Sequence, residues 1–353
     1  MTHALALAER GLFTTQPNPR VGCVIAHGDA VVGEGWHRRA GGPHAEVFAL
    51  REAGERGHGA TAYVTLEPCG LHGRTPPCAD ALIAAGVQRV VIAAEDTSQA
   101  EGAGLARLRA AGITVETGLM REPARELNAG FFHRIERGRP FVRVKLAMSL
   151  DGRTALANGA SQWITGEAAR ADGQRWRARS SAILSGSGTI LADNPRLTVR
   201  LPTDTEIAPP LRVVLDRRLR TPAGSHILDA AAPSLLLHGA DADVPAHLAG
   251  VERTVVGERG RGLDLGEVLQ RLAARGCNEV HVEAGPTLGG ALLEAGLVDE
   301  LLVYIAPVLL GDDARPLLHL PALADMDARW KLQLLDQRML GSDLRLRLRP
   351  AGA

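Results

Sequence analysis

One histidine, one glutamate and two cysteines near the start of the chain have the types and spacing of a catalytic zinc site. His44 and Glu46 lie in GPHAEVFAL, and Cys69 and Cys78 follow in TLEPCGLHGRTPPC. A neutral imidazole and two thiolates provide three ligands for Zn²⁺ and leave the fourth tetrahedral position for water. The metal lowers the pKa of that water, and a carboxylate two residues beyond the histidine can carry its proton to a leaving nitrogen. The pattern therefore predicts hydrolytic deamination.

The segment between the two cysteines is longer than the two-residue spacing known from zinc deaminases. Its residues, GLHGRTPP, place His72 and Arg74 beside the metal. One alternative is a closed structural zinc site in which His72 supplies a fourth protein ligand. That alternative gives Glu46 no role. The prolines before Cys78 also indicate a helix start, which favours a thiolate there.

A second candidate site is the glycine-containing turn VEAGPTLGGALL, between a predicted strand and a predicted helix. Small residues there let backbone N–H groups approach a phosphate at the start of the helix. The turn is not the GxGxxG pattern of dinucleotide-binding βαβ units. The residue types alone leave tight packing of strand against helix as an alternative.

Long motifs in both parts of the chain resemble those of the bifunctional riboflavin-biosynthesis deaminase–reductase family. The first part contains PNPRVGCVI, PHAE and TLEPCGLHGRTPPC, and the second contains KLAMSLDGRTA, SQWIT, GTILADNPRLTVR and VEAGPTLGGALLEAGLVDELLVYIAP. The resemblance implies an α/β fold in which a cytidine-deaminase-like α/β/α domain precedes a dihydrofolate-reductase-like domain. It also implies zinc-dependent deamination of 2,5-diamino-6-ribosylamino-pyrimidinone 5′-phosphate, followed by NADPH-dependent reduction of the ribosyl chain to ribityl.

The same resemblance implies binding roles for residues in both parts. In the deaminase, Asn18, His72 and Arg74 would contact substrate, with Arg74 near its phosphate. In the reductase, the residues expected around NADPH are Ala147, Trp163, Thr189, Asp193, Gly285, Pro286, Thr287, Leu288, Gly289, Gly290 and Ala291. The residues expected around the ribose phosphate are Ser161, Arg177, Leu197, Arg200 and Glu283.

The chemistry of these residues agrees with the implied roles, but their types alone leave alternatives open. Arg177 and Arg200 could offer forked guanidinium groups to a phosphate, and Glu283 an acceptor to a ribose hydroxyl. Equally, Trp163 could belong to a core, Arg200 to the surface, and Glu283 to an ion pair with a neighbour. No acid–base residue for the reduction is evident.

The chain departs from the family pattern at two places. Arg217 stands where the family often has serine, which puts one cofactor contact in question, although an arginine could pair with the NADP 2′-phosphate. EDTSQ, at residues 95–99, stands where the family often has a DPNP-like turn. Contacts from this turn to the deaminase substrate are therefore open.

Composition and charge exclude several classes of protein. The chain has 353 residues, and its 40 Lys plus Arg balance its 40 Asp plus Glu, which argues against a broad basic surface for nucleic acid. MTHALALAERG is not typical of a signal peptide, and no apolar run approaches the roughly 20 residues of a membrane helix. The four cysteines do not form a disulfide framework and indicate a reducing cytoplasm. Cys23 and Cys277 are predicted to be buried apolar residues.

The order of predicted elements favours two domains. Strands and helices alternate up to a long helix over REPARELNAGFFHRI, which predicts an open sheet covered on both faces. The charged stretch RIERGRP predicts a boundary between a deaminase domain at residues 1–139 and a reductase domain at 140–353. In the helix GEAARADGQRWRARS we expect most of Arg170, Arg175, Arg177 and Arg179 to be solvated. The chain should end in a hairpin, and a homodimer through the reductase domain is expected.

Two other functions agree with parts of the sequence. One is deamination of a free base, or of a base within RNA, with a degenerate reductase half. The balanced charge argues against RNA. The other is a zinc-stapled binding protein, which predicts a fourth protein ligand and no bound water.

Overall fold

The structure, a computed structural model, describes residues 1–70, 77–98, 103–202 and 204–351. The chain divides into two compact units. The first comprises Met1–Gly138 with Glu206–Ala208, and the second comprises Arg139–Thr205 and Pro209–Ala353. None of the helices in these described ranges combines the length and apolar character needed to cross a bilayer.

The first unit is an open five-stranded sheet in the order β2-β1-β3-β4-β5. Strand β1 is antiparallel to β2 and β3, whereas β3, β4 and β5 run parallel. A 3₁₀ turn at Gly54–Gly57 extends the second helix. The elements in chain order are α1 (Thr2–Glu9), β1 (Gly22–His27), β2 (Ala30–Trp36), α2 (Ala45–Ala53), β3 (Thr61–Leu66), α3 (Cys78–Ala84), β4 (Arg89–Ala94), α4 (Ala103–Ala110), β5 (Thr114–Thr117), α5 (Arg121–Leu127) and α6 (Ala129–Arg137).

Helices cover both faces of this sheet, as the sequence predicts. Helices α2, α3 and α4 pack on one face around Ile25, Val64 and Ile92, and α1, α5 and α6 pack on the other. The prediction of one long helix over REPARELNAGFFHRI is wrong. The chain breaks into α5 and α6 at Asn128, whose side chain accepts from the backbone N of Arg20 at 2.8 Å and donates to its O at 2.9 Å.

The second unit has a nine-stranded mixed sheet in the order β11-β10-β9-β8-β14-β6-β15-β18-β17. The strands from β11 to β15 in this order are parallel to one another. At the β15 end of the sheet, β18 and then β17 follow, each antiparallel to the strand before it. The elements are β6 (Phe141–Ser149), β7 (Arg153–Ala155), α7 (Glu167–Ala178), β8 (Ala182–Gly186), α8 (Ser187–Asp193), β9 (Leu211–Leu215), β10 (Ser234–His238), β11 (Arg253–Val255), β12 (Glu258–Arg259), β13 (Gly262–Leu263), α9 (Leu265–Ala274), β14 (Glu279–Val282), α10 (Pro286–Glu294), β15 (Glu300–Ala306), β16 (Arg315–Pro316), β17 (Leu332–Leu340) and β18 (Asp343–Pro350). Short 3₁₀ turns lie at His226–Leu228 and Ala246–Leu248. The predicted terminal hairpin, β17–β18, is confirmed.

The two faces of this sheet are chemically different. One face packs Val144, Val280 and Val303 against the apolar sides of α9 and α10. The other carries buried ion pairs under α7, which we call the charged layer: Arg143, Trp176, Glu279, Glu300 and Arg347. Successive residues of a strand point to opposite faces, so every second position of β6, β14 and β15 contributes to one of them.

Within the charged layer, the Arg143 Nε lies 2.6 Å from Glu300 Oε1, and its NH1 lies 3.0 Å from Glu279 Oε2. Arg347 adds a 2.7 Å contact to Glu300, and the ring of Trp176 lies 4.4 Å from the Arg143 guanidinium carbon. The expectation that most arginines of α7 are solvated is wrong. Of those four only Arg175 is exposed, because the sheet face below α7 offers carboxylates to two of the others.

Candidate active sites

Three predicted zinc ligands come together in the first unit. His44 immediately precedes α2, Cys69 follows β3, and Cys78 opens α3, and their ligand atoms all lie within 4.8 Å of one another. His44 Nδ1 is 3.0 Å from Cys78 Sγ and 3.6 Å from Cys69 Sγ. A tetrahedral zinc with ordinary bond lengths separates its ligand atoms by about 3.5–3.8 Å. The donor set therefore fits Zn²⁺ in type and spacing.

The electrostatics of the thiols suit a cation. A hydrogen bond from the Cys78 thiol lowers the pKa of Cys69 to about 4, and the same bond raises the pKa of Cys78. The backbone N of Cys78 also donates to Cys69 Sγ at 3.2 Å. The hydrogen bond to Cys69 raises the pKa of His44. A sulfur anion at Cys69 is thus already stabilised at the start of α3.

The turn that presents Cys69 is held by Glu67, whose role the sequence does not reveal. Its buried carboxylate accepts from the backbone N of Asp96 and of Leu105, each at 3.2 Å. Gly104 is required beside it, because a Cβ there would lie 1.9 Å from the backbone O of Pro68. The loops after β3 and β4 are therefore fixed to each other behind the metal ligands.

Glu46 lies in the first turn of α2, next to the ligand set, and is only 3% exposed. Its Oε2 is buried and has no hydrogen-bond partner among the described residues. Burial raises the pKa of this carboxyl. A buried carboxyl that is easily protonated and has an unused oxygen can accept and release a proton.

A second histidine links Asn18 to this site. His37, buried at the end of β2, lies with Nε2 3.0 Å from Asn18 Nδ2 and with Nδ1 3.0 Å from the backbone O of Pro43. Its ring meets that of His44 edge-on at 5.5 Å. Sequence reasoning missed His37, and the only signal was its place at the end of a predicted strand.

The remaining candidate residues belong to the segment between the two cysteines, to the EDTSQ turn and to the two other cysteines. His72 and Arg74 lie outside the described residues, as does Gln99. In the EDTSQ turn, Ser98 donates from N and Oγ to Asp96 Oδ1 at 2.9 and 2.6 Å. Cys23 and Cys277 are buried, as predicted.

The second unit contains a cavity of about 1890 Å³ at the carboxyl ends of β6, β8, β9 and β14. Ligands of open α/β sheets bind outside the carboxyl ends of the strands. The predicted residues that line it are Ala147, Ser161, Trp163, Arg177, Thr189, Asp193, Leu197, Arg200, Glu283, Gly285, Pro286, Thr287, Leu288 and Ala291.

Two predicted residues of the glycine-containing turn are not among the cavity-lining residues. A Cβ at Gly290 would lie 2.0 Å from the backbone O of His319, and one at Gly289 would lie 2.8 Å from Leu318 Cδ2. These two glycines permit close packing of α10 against residues 318–319. The start of α10, from Gly285 to Leu288, faces the cavity.

Arg177 and Glu283 form an ion pair at the base of the cavity. The guanidinium donates to both carboxylate oxygens, at 2.5 and 2.7 Å, and its NH1 donates to the backbone O of Thr198 at 2.8 Å. Burial disfavours ionisation of Glu283, but Arg177 outweighs it and holds the pKa of that carboxyl well below its usual range. The alternative that Glu283 pairs with a neighbour is correct, and the neighbour is itself a predicted substrate residue.

Trp163 and Arg200 both reach the cavity from exposed positions. Trp163 is 68% exposed, so the alternative that places it in a core is wrong, and the Arg170 guanidinium lies 4.7 Å from its ring. Arg200 is exposed, and its backbone N donates to Gln174 Oε1 at 2.9 Å. Since Arg177 is engaged with Glu283, Arg200 is the more available cation of the predicted pair.

Sequence reasoning missed two groups near Glu283. Lys145 of β6 lines the cavity, and burial lowers its pKa. His281 of β14 is fully buried, with Nε2 3.2 Å from Glu283 Oε1. Each stands between two apolar residues of its strand. This alternation was the sequence signal that could have revealed them. Arg217 pairs with Glu258 at 2.6 Å.

Comparison with known proteins agrees with this pair of sites. A family model described as the cytidine and deoxycytidylate deaminase zinc-binding region matches residues 1–94, and one for the RibD C-terminal domain matches residues 140–346. The riboflavin biosynthesis protein RibD of Escherichia coli is 49% identical over 99% of this chain and 98% of its own length. That of Haemophilus influenzae is 46% identical over 100% and 97%.

Solved structures show the same likeness. Acinetobacter baumannii RibD superposes with a TM-score of 0.92 at 45% identity, covering 99% of this chain and 97% of the other. A diaminohydroxyphosphoribosylaminopyrimidine deaminase/5-amino-6-(5-phosphoribosylamino)uracil reductase of Thermotoga maritima superposes with a TM-score of 0.89 at 32% identity, with the same coverage. The chain therefore belongs to the RibD family, the bifunctional enzymes of riboflavin biosynthesis that join a zinc-dependent deaminase to an NADPH-dependent reductase.

Proposed function

We propose that residues 1–139 form the deaminase domain and residues 140–353 the reductase domain. Three observations support this division. The charged stretch RIERGRP lies at the boundary, the compact unit changes after Gly138, and the C-terminal family match starts at residue 140. Expression of the two pieces tests it, since each should fold alone.

The first reaction is hydrolytic removal of an amino group from 2,5-diamino-6-ribosylamino-pyrimidinone 5′-phosphate. The observation that carries this proposal is the buried, unpartnered Glu46 oxygen beside the set His44, Cys69 and Cys78. Those three residues would hold zinc, which when bound lowers the pKa of water so that it attacks near neutral pH. Glu46 takes the proton of the attacking water and delivers it to the leaving nitrogen.

Residues around Glu46 position the pyrimidine. The Nδ1–H of His37 donates to the backbone O of Pro43, which leaves Nε2 to accept from the Asn18 amide. Asn18 is thereby oriented, with its carbonyl oxygen available to a ring substituent. His72 and Arg74, on the segment between the two cysteines, would contact the substrate, with Arg74 near its phosphate.

The second reaction reduces C1′ of the opened ribose, and NADPH supplies the hydride when bound. Ala147, Trp163, Thr189 and Asp193 would surround its nicotinamide nucleotide, and the segment Gly285–Ala291 its diphosphate at the start of α10. Within this segment the backbone N of Gly289 donates to the backbone O of Gly285 at 3.3 Å, and Gly289 and Gly290 pack against residues 318–319.

The substrate would lie over Ser161, Leu197 and Glu283. The Glu283 carboxylate accepts a ribose hydroxyl, and Arg177 fixes its orientation through both oxygens. Arg200 provides the guanidinium for the 5′-phosphate. Lys145 adds a donor at the same end of the cavity.

The decisive experiment is incubation of the protein with the phosphoribosyl diaminopyrimidinone, with and without NADPH, followed by mass analysis. We expect exchange of an amino group for oxygen in both samples, and addition of hydrogen only where NADPH is present. An unchanged substrate, or reduction before deamination, would contradict the proposed order.

We further propose a homodimer through the reductase domain, in the cytoplasm. Edge strand β17 supports the dimer, because Leu332, Leu334 and Met339 are 42%, 51% and 61% exposed on it. The free thiols support a reducing compartment. Sedimentation of the full chain and of a Leu334→Asp variant tests the dimer, and cell fractionation tests the compartment.

A further inference from the structure

We propose that Asp343, in the terminal hairpin, is a positioning residue of the reductase. Its carboxylate fixes the start of α7 and, through it, the SQWIT segment (residues 161–165) that presents Trp163 to NADPH. Asp343 is not among the residues that line the cavity. The inference rests on the proposed place of Trp163 beside the nicotinamide nucleotide, and it adds a residue that prepares the site without touching either ligand.

The SQWIT segment forms a wall of the cavity without belonging to a helix or a strand. All five of its residues line the cavity. Within the described part of the chain, its backbone exchanges no hydrogen bond with another backbone. Side chains that bind its backbone must therefore determine its conformation. The conformation depends above all on the contacts at the end of the segment, where α7 begins.

Two charged side chains bind the backbone at that end. Asp343 Oδ2 accepts from the backbone N of Gly166 at 2.7 Å, and the Arg170 guanidinium donates to the backbone O of Thr165 at 2.7 Å. The same guanidinium lies 4.7 Å from the ring of Trp163. Arg170 belongs to α7, so its position depends on where that helix begins. A series of contacts thus leads from Asp343 to Trp163.

The surroundings of Asp343 suit this role. It is 1% exposed and makes no ion pair with a described residue, so its carboxylate needs hydrogen bonds in place of water. The start of a helix supplies N–H groups and a favourable dipole. Gly166, the N-cap of α7, has no side chain to cap the helix, and Ala169 cannot reach back as the third residue of a capping box does. The terminal hairpin therefore supplies the missing acceptor from a distant part of the chain.

Loss of the Asp343 carboxylate should weaken the binding of NADPH. The segment would then sample other conformations, and the apparent dissociation constant rises in inverse proportion to the fraction that remains competent to bind. A hydrogen bond to a charged group typically accounts for a factor of about ten to a hundred in an equilibrium constant. We therefore expect Asp343→Ala to weaken NADPH binding about ten- to a hundredfold. With both ligands at saturation, kcat of the reductase should stay within about twofold of wild type.

A double-variant cycle separates positioning from a general structural role. NADPH affinity is measured by calorimetry in the full chain for Asp343→Ala, for Trp163→Ala and for the double variant. Once the Trp163 ring is removed, the position of the segment no longer matters to NADPH, so the double variant should bind about as weakly as Trp163→Ala alone. The matched control is Asp336→Ala, because this carboxylate of the same hairpin pairs with Arg345 instead of the start of α7. It should bind NADPH as wild type does.

A conservative variant completes the test. Asp343→Asn keeps an acceptor for the Gly166 N–H without the charge, so it should lose only about three- to tenfold in affinity. The same cycle is run with Asp343→Asn if Asp343→Ala does not fold.

The possible failures can be told apart. Losses that add in the double variant would overturn the positioning role and leave the reductase intact, and so would Asp343 variants that bind NADPH as wild type does. Normal NADPH binding by Trp163→Ala would overturn the proposed place of Trp163 and the positioning role with it. A wild-type chain that binds no NADPH would overturn the reductase function itself.

Discussion

Removal of either partner of the Arg177–Glu283 pair should destabilise the second unit, whereas removal of both should cost much less. The perturbations are Arg177→Met, Glu283→Gln and the double variant. In each single variant one charge stays in the cavity base without its partner, while the double variant leaves neither.

The structure sets the magnitude. Breaking a fully buried ion pair from one side costs about 3–5 kcal/mol. The two side chains here are 11% and 19% exposed, so each single variant should lie near the lower end of that range. His281, 3.2 Å from Glu283, should limit the loss when Arg177 is removed only if it becomes protonated. Burial lowers the pKa of His281, so the loss for Arg177→Met should shrink only as pH falls below the usual pKa of an imidazole.

Calorimetry of the full chain is a suitable assay, because the two units should unfold separately. The transition of the second unit is the one that NADPH raises, since a ligand stabilises only the unit that binds it. The pKa of Glu283 is lower in the folded protein than in the unfolded chain, where it is about 4.3. The ion pair therefore contributes its full stabilisation above the unfolded pKa, and this stabilisation is lost as pH falls through the folded pKa. Additive losses in the double variant would refute the reasoning, as would single variants within about 0.5 kcal/mol of wild type at pH 7, a change typical of unimportant surface positions.

Three further predictions concern the zinc site, the division of the chain and the charged layer. Glu46→Gln should lower ammonia release about 10⁴-fold or more, because Glu46 serves both proton transfers, while zinc content and NADPH oxidation with the deaminated substrate stay unchanged. The fragment Phe141–Ala353 should bind NADPH by itself in a fluorescence titration. Burial opposes ionisation of Glu300, but Arg143 and Arg347 outweigh it and lower its pKa to about 2. Glu300→Gln should therefore cost about 3 kcal/mol at pH 7, and part of the stability lost by wild type between about pH 4.5 and 2 should no longer depend on pH.

Each of these has a control and an opposing result. His44→Ala should lose zinc as well as activity, and zinc loss in Glu46→Gln would make Glu46 a ligand instead. A folded fragment that does not bind NADPH would contradict the division at residue 140. Glu116→Gln, in an exposed pair with Arg89, should leave acid stability nearly unchanged, and an equal effect there would remove the special role of the charged layer.

Local spacing was enough to place Glu46 beside His44, whereas Cys69 and Cys78, 25 and 34 residues from His44, were predicted from the zinc-deaminase motif. His44 and Glu46 are two residues apart and lie at the start of one helix, so the sequence alone sets their separation. The order of strands and helices in the first unit could also be predicted, because each element has its own local pattern of apolar residues. The break between α5 and α6 did not, because it depends on a hydrogen bond between Asn128 and Arg20, which are distant in the chain.

The reductase cavity illustrates what spacing cannot supply. Arg177 and Glu283 are separated by more than one hundred residues, and only the sheet order brings α7 over β14. The charged layer escaped notice for a related reason. On β6 and β14 its charges, Arg143 and Glu279, are followed by apolar residues of the opposite face, and such alternation is typical of a strand with one solvated face. The sequence does not show that α7 covers that face.

The positions of His44 and Cys78 have a consequence for the supply of the enzyme in the cell. They lie at the starts of α2 and α3, and Cys69 lies in the turn after β3, so zinc would join three elements that are distant in the chain. The free energy of metal binding then becomes part of the free energy of folding. At a free zinc concentration of about 100 times the dissociation constant this amounts to about 2.7 kcal/mol, and NADPH exerts the same kind of control on the second unit. Zinc shortage should therefore reduce the lifetime of the deaminase half as well as its turnover, and expose it to proteolysis while the reductase half stays folded. The abundance of one polypeptide would depend on the concentrations of zinc and of NADPH, each of which stabilises a different half.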